Sequence, residues 1–138
     1  MADTTQSRNR PVYRNIHVTQ IASYRLPAAG WVSILHRISG ALMFLLLPVV
    51  LWAFGLSLRS PQGFAEVASV LGSWPMKLVA VVLFWGLAHH FCAGIRHLGS
   101  DICPRMLSKQ AGRRSAVSVL VVSLLATLLF AIHVFTGA

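Results

Sequence analysis

The sequence predicts an all-α membrane protein with three transmembrane helices. Hydrophobic residues make up 56% of its 138 residues and charged residues only 11%, whereas a soluble domain carries about 25% charged residues. The apolar residues also form three long segments, and a helix of about 20 residues is enough to cross roughly 30 Å of hydrocarbon. A soluble fold of this length has too little interior to hide so much apolar surface, so lipid must be the solvent for these segments.

The apolar segments predict where the spans lie. They cover residues 31–58, 74–95 and 116–135. The first is longer than a bilayer requires, so its first turns can lie at the membrane interface. Pro48 can kink this helix, which a membrane span tolerates. Ser60, Pro61 and Gly63 follow the first span and are typical of a turn, so we expect a short loop there.

The basic residues predict how the helices are oriented. Twelve lysines and arginines outnumber three acidic residues and give a formal net charge of +9. Four of these cations lie in residues 1–28 and five between the second and third spans, whereas only Arg59 and Lys77 lie in or next to the first loop. Because lysine and arginine are enriched in cytoplasmic loops, the tail and the second loop are expected in the cytoplasm and the C-terminus on the other side. No soluble domain is present to carry a nucleic-acid surface, so we expect no nucleic-acid partner.

Residues 1–28 are polar and rich in arginine. We interpret them as a cytoplasmic tail that precedes a membrane domain of residues 29–138. They lack the apolar core of a cleaved signal peptide. An arginine-rich mitochondrial transit peptide is the alternative interpretation of the same composition.

The second span carries two histidines on a face of small residues. At 100° per residue, five side chains fall within about 100° of arc: Gly86, His90, Ala93, Gly94 and His97. Small residues let another helix approach closely. They also leave room for a flat macrocycle such as haem, whose iron is held by an axial imidazole. The haem interpretation is favoured over plain helix packing. His89 points about 100° away, where it can hydrogen-bond a neighbouring helix, and is the weaker ligand candidate.

The first span carries a similar polar stripe. Five residues fall within about 120° of arc: Gly30, Ser33, His36, Arg37 and Gly40. Ser33 offers a hydroxyl, Arg37 a fixed positive fork and His36 a titratable ring. Arg37 alone is also explained by snorkelling to lipid headgroups, but its two polar neighbours on the same face are not.

Depth in the membrane links the two stripes. His90 is predicted in the inner half of the second span and His97 at its inner boundary, where His36 and Arg37 begin the first span. The two sets can therefore meet, and their cationic groups could neutralise haem propionates or polarise a quinone carbonyl.

His133 belongs to the opposite leaflet. Because His36 is expected at the interface, we expect no second imidazole on a helix that faces His90.

Two motifs carry a family resemblance. The run S-I-L-H-R-I-S-G at residues 33–40 follows Arg10-Pro11, and the run H-F-C-A-G-I-R-H at residues 90–97 precedes Asp101. Together they resemble the cytochrome b556 membrane-anchor subunit of bacterial succinate dehydrogenase, complex II. The match extends from Arg10 to the third span. The first motif alone is moderately specific for this family, and the two motifs together in one three-span protein are highly specific for it.

The resemblance implies a function and a set of partners. In that family a flavoprotein, an iron–sulfur protein and two small anchors pass electrons from succinate to ubiquinone in the bacterial inner membrane. One haem b lies between the anchors, with one axial histidine from each. The matching ligand here is His90. Ser33 and Arg37 match quinone-site positions, while His36, Arg37 and His97 would lie near the haem propionates.

Other functions remain open at this point. The chain contains no G-x-G-x-x-G signature, so neither flavin chemistry nor a catalytic residue for succinate is expected in it. A haem-free anchor that only docks soluble subunits is one alternative. A small transporter or channel subunit lined by His36 and Arg37 is the other. The C-terminus would be periplasmic in the inner-membrane interpretation.

Overall fold

Helices account for nearly all of the structure. The computed structural model describes residue 19 and residues 25–137. This part of the chain contains four α-helices and one 3-10 turn, and no strand: α1 (Ala28–Arg59), α2 (Pro61–Gly72), α3 (Trp74–Ile102), the 3-10 turn (Pro104–Leu107) and α4 (Lys109–Thr136). Three of these helices are long and apolar enough to cross a membrane. The predicted all-α fold with three spans is confirmed, whereas the predicted tail, residues 1–28, lies mostly outside the described residues.

The three long helices alternate in direction. The start of α1, the end of α3 and the start of α4 lie together and line one pocket. We call this the basic end of the bundle, because Arg96, Lys109 and Arg113 lie there. At the opposite, far end, the ring of Trp74 at the start of α3 lies 4.9 Å from the ring of Phe135 at the end of α4.

The fully packed interior is small and lies towards the basic end. Its apolar members are Val32 of α1, Ala93 of α3, and Ala116 and Val119 of α4. Small side chains let three helix backbones approach closely, which is how membrane helices gain packing contacts without a hydrophobic driving force. Elsewhere large apolar side chains face outwards, and Phe44 is 75% exposed. These outer faces suit lipid or partner helices.

The predicted short loop after the first span is instead the helix α2. The hydroxyl of Ser60 accepts a hydrogen bond from the backbone N–H of Gly63 at 3.0 Å, and Pro61 occupies the first helical position. Serine at the N-cap and proline next to it favour helix initiation, so the residues that indicated a turn also start a helix. A Cβ on the buried Gly63 would lie 2.5 Å from the carbonyl oxygen of Leu56, so α2 folds back tightly on the end of α1.

The second predicted loop is shorter than expected. Helix α3 continues beyond residue 95 to Ile102, and α4 begins at Lys109. Arg96, expected in this loop, therefore lies on α3 and donates from Nε to the hydroxyl of Ser115 on α4 at 3.0 Å. The change from apolar to polar residues marks the edge of the membrane span but does not end a helix. Proline does disrupt a helix, and the next one in the sequence is Pro104.

Candidate functional site

Three histidines meet where α1 crosses α3 near the basic end. The rings of His36 and His90 stack with centroids 4.1 Å apart and planes 18° from parallel. The ring of His97 lies 5.3 Å from that of His36. We call these three residues the histidine cluster. The prediction that the two polar stripes meet is confirmed.

Glycines make this close crossing possible. A Cβ on Gly40 would lie only 2.9 Å from Cε1 of His90, so the ring rests directly on the α1 backbone. Cβ atoms on Gly94 and Gly86 would lie 3.7 Å from Nε2 of His36 and 3.9 Å from Cβ of Ser39. Helix α1 thus covers the small-residue face of α3. The helix-packing interpretation of that face is confirmed, so the haem hypothesis depends on the imidazole of His90 and not on free space along this face.

Hydrogen bonds from α1 fix the ring of His90. Its Nδ1 lies 3.1 Å from the carbonyl oxygen of His36 and 3.3 Å from the hydroxyl of Ser39. The Ser39 hydroxyl in turn donates to the same His36 carbonyl at 3.0 Å. A carbonyl only accepts, so Nδ1 of His90 carries the proton and shares it between two oxygens. Nε2 then carries the free lone pair, and no residue in the described part of the chain hydrogen-bonds to it.

This arrangement is typical of a metal-bound histidine. Such a residue donates its second ring N–H to a carbonyl, carboxylate or water, which fixes the tautomer and raises the basicity of the ligating nitrogen. His90 is only half-buried, in contrast to its fully buried neighbour His89. The buried Ser39 was missed as part of this site in the sequence analysis. Its signal was its place three residues after His36 in the first motif, on the same helix face.

His89 has a different environment from its neighbour. Its side chain is fully buried inside the bundle, and its Nε2 donates to the carbonyl oxygen of Val32 on α1 at 3.4 Å. The predicted hydrogen bond to a neighbouring helix is therefore confirmed. Its Nδ1 and the adjacent Trp85 Nε1 are both buried without a hydrogen-bond partner among the described residues. The enclosed ring leaves no route for a large planar ligand.

The position of His36 corrects one expectation. We expected no second imidazole to face His90, but His36 stacks on it because Gly40 and Gly94 bring the helices together. The two rings nevertheless cannot ligate the same iron as they stand. The two rings lie face to face in nearly parallel planes, so their nitrogens would not converge on one metal ion. No group of three or more metal-ligating side chains occurs among the described residues.

The remaining predicted residues lie on α1 and α4. Arg37 is exposed at the basic end, and Ser33 is half-buried one turn before it. Residues four apart on a helix are neighbours on its surface, so both can face the same ligand. Arg37 makes no ion pair or hydrogen bond with another described residue. His133 is exposed near the end of α4, at the far end of the bundle, as predicted.

The fold and this site define a class of protein: a small three-span subunit that holds a histidine between its first two long helices. Residues 6–130 match the family described as the succinate dehydrogenase/fumarate reductase transmembrane subunit. The chain belongs to that family, which confirms the resemblance in the two motifs.

Curated relatives agree along most of their length. The succinate dehydrogenase cytochrome b556 subunit of Paracoccus denitrificans is 32% identical over 115 residues, which cover 83% of this chain and 84% of the relative. The subunit of the same name from Coxiella burnetii is 32% identical over 128 residues, covering 91% and 97%. That of Rickettsia bellii is 30% identical over 106 residues, covering 77% and 82%.

Proposed function

We propose that this protein anchors a succinate:quinone oxidoreductase in the membrane, ligates one haem b through His90 and contributes Ser33 and Arg37 to a ubiquinone-reduction site. The observation that carries the haem proposal is the ring of His90, whose Nδ1 is held by the α1 backbone while Nε2 stays free. The names of the relatives, all cytochrome b556 subunits, support the same cofactor.

The residues around His90 fit such a cofactor. A bound b haem would take up and release one electron at a time. His90 would hold the iron through Nε2, with the tautomer set by the carbonyl of His36 and the hydroxyl of Ser39. Arg37, His36 and His97 lie towards the basic end and would compensate the negative charge of the propionates.

The second axial ligand would come from a partner. His36 stacks face to face with His90 and is badly oriented to serve. His89 is enclosed and His133 lies at the far end. A second small membrane-anchor subunit is therefore the proposed source. Large apolar side chains exposed along the long helices, such as Phe44, Leu45 and Leu129, offer surface for this partner as well as for lipid.

The basic end would face the soluble subunits. It carries most of the cations of the described chain, and because lysine and arginine are enriched on the cytoplasmic side of membranes, this supports a cytoplasmic basic end and a periplasmic C-terminus in a bacterial inner membrane. An iron–sulfur subunit and a flavoprotein would dock there. Electrons would then arrive on the same side as Ser33 and Arg37, whose hydroxyl and guanidinium donors suit the carbonyl oxygens of a quinone.

Substitution of the two adjacent histidines tests the haem proposal. In the purified complex, His90→Leu should abolish the reduced b-type absorbance bands. His89→Leu should preserve them, because the His89 ring is enclosed in the bundle and its one hydrogen bond, to the Val32 carbonyl, does not involve His90. Immunoblots of the membranes must show both variants at wild-type levels. A normal spectrum from His90→Leu, or its loss only in His89→Leu, would remove the assignment.

Activity with two acceptors tests the quinone proposal. Arg37→Ala should slow ubiquinone reduction by roughly 5- to 150-fold, since loss of a ligand's polar partner costs about 1–3 kcal/mol. Succinate oxidation by a soluble dye should be nearly unchanged, because the dye takes electrons upstream. Ser33→Ala should act in the same direction but less strongly. Arg59→Ala, at the other end of α1, is the control. Equal loss of both activities would indicate failed assembly and contradict a quinone role.

A further inference from the structure

A second feature of the basic end has no part in the haem or quinone proposal. It is a pocket of about 520 Å³ between the start of α1, the end of α3 and the start of α4. We call it the basic pocket. Its polar lining includes Arg96, Ser100, Ser108, Lys109 and Arg113. None of the described residues that line it is acidic, so its three cations act on a ligand without internal neutralisation.

One of these cations is already held in place. The Arg96 guanidinium is half-buried, donates from Nε to Ser115 at 3.0 Å and lies 3.5 Å from the carbonyl oxygen of Gly112. Its remaining N–H groups are therefore preorganised, which lowers the entropy lost on binding. The first turn of α4 also lines the pocket, and backbone N–H groups at a helix start favour an anion. A phosphate with its several oxygen acceptors matches these donors.

The rest of the surroundings is apolar. Pro27, Ala28, Ala29 and Met106 form the other part of the lining. From Arg113, the surface of α4 continues through Val117 and Val121, which follow at intervals of four residues and are 44% and 49% exposed. Positions four apart form one line along a helix. A phosphate at Arg113 would thus have an apolar track beneath it that leads into the membrane span.

We propose that the basic pocket binds the phosphate of an anionic phospholipid, with an acyl chain along Val117 and Val121. A smaller cavity lined by Arg113, Arg114, Val117 and Ser118 adjoins it through Arg113 and extends the cationic surface towards this track. A ligand needs both a phosphate and an acyl chain to contact the basic pocket and the apolar side chains of α4 beside it. A free phosphate would contact the basic pocket only.

Lipid titration of the purified complex tests the proposal. The complex, in mild detergent, is titrated with phosphatidylglycerol, phosphatidylcholine and inorganic phosphate, and bound species are counted by native mass spectrometry. Wild type should bind phosphatidylglycerol well above the other two. The double variant Lys109→Gln/Arg113→Gln should weaken this binding roughly tenfold or more, since each cation near a membrane surface contributes about fivefold towards anionic lipid.

A charge-matched control separates the pocket from general attraction. Arg59→Gln/Lys77→Gln removes the same charge at the far end and should bind phosphatidylglycerol as wild type does. Four results would overturn the proposal: equal binding by the pocket variant, equal binding of phosphatidylcholine, equal binding of inorganic phosphate, or an equal loss in the control. Loss of a protein subunit from the pocket variant with lipid binding retained would instead assign the surface to that subunit.

Discussion

Helix α3 makes two very different contacts along its length. Towards the basic end it meets α1 through the ring of His90, the hydroxyl of Ser39 and the carbonyl of His36. Towards the far end it meets α4 through aromatic rings: Phe84 stacks on Phe130 with centroids 4.2 Å apart and planes 10° from parallel. The first contact is polar and directional, and the second relies on dispersion between flat apolar surfaces.

The two contacts differ in what they determine: the first fixes the orientation of a side chain, whereas the second only holds two helices together. Hydrogen bonds depend on distance and angle, so two oxygens that share one N–H fix the ring of His90 in rotation and in tautomer. Aromatic stacking tolerates small offsets and has no donor to orient. Both contacts hold helices together in lipid, but only the first can aim a ligating nitrogen. A change at the crossing of α1 and α3 should therefore alter the site, and a change at the aromatic contact should alter stability alone.

The largest effect is expected from Gly40→Ala. The added Cβ would lie 2.9 Å from Cε1 of His90, and the ring cannot shift without loosening its hydrogen bonds to α1. Overpacking of this kind costs about 1–3 kcal/mol. Haem content of the purified complex should fall and the reduced spectrum should broaden or shift. Gly55→Ala is the matched control, because a Cβ there meets nothing within 4 Å. An unchanged spectrum in Gly40→Ala would mean that the crossing does not set the position of His90.

A smaller effect is expected from Ser39→Ala. The bond from Nδ1 of His90 to the His36 carbonyl remains, so haem should be retained. Loss of one acceptor makes the imidazole less electron-rich, which favours the reduced iron and should raise the midpoint potential. A hydrogen bond of about 0.5–1.5 kcal/mol corresponds to a shift of roughly tens of millivolts for one electron. Redox titration measures it.

The buried Ser123 provides the control for this shift. Its hydroxyl donates to Leu120 within α4, away from the histidine cluster. Ser123→Ala should therefore leave the potential unchanged. A lowered potential in Ser39→Ala, or the same shift in both variants, would contradict the role given to Ser39.

The fold was largely predictable because the span of a bilayer sets the length of an apolar helix. Helix α2 was not, because Ser60 and Pro61 are favoured both in turns and at helix starts, and nothing local distinguishes the two. The end of α3 was placed too early for a related reason. Polar residues such as Arg96 leave the lipid before they leave the helix, so hydropathy locates the membrane edge and not the last helical hydrogen bond.

The site was predictable within each helix but not between helices. Periodicity placed His90 on the small-residue face and His89 away from it, and the hydrogen bond from His89 to α1 followed. Periodicity carries no information on how far one helix slides along another. The stacking of His36 on His90 depends on that register and was not predicted. The packing of α1 on the small-residue face depends on it too, and the sequence predicted it only as the less favoured of two interpretations.

The smallest effect is expected from Phe130→Leu. The substitution removes the ring that stacks on Phe84 but leaves an apolar side chain in the same place. Aromatic pairs contribute about 0.5–1.5 kcal/mol beyond the area they bury, so the thermal unfolding midpoint of the purified complex should fall by a few degrees. The haem spectrum and midpoint potential should match those of wild type, because no hydrogen bond to His90 involves α4. If Phe130→Leu instead shifts the spectrum as far as Gly40→Ala does, the two contacts of α3 are coupled. The distinction between the contact with α1, which orients His90, and the contact with α4, which only stabilises the bundle, would then be wrong.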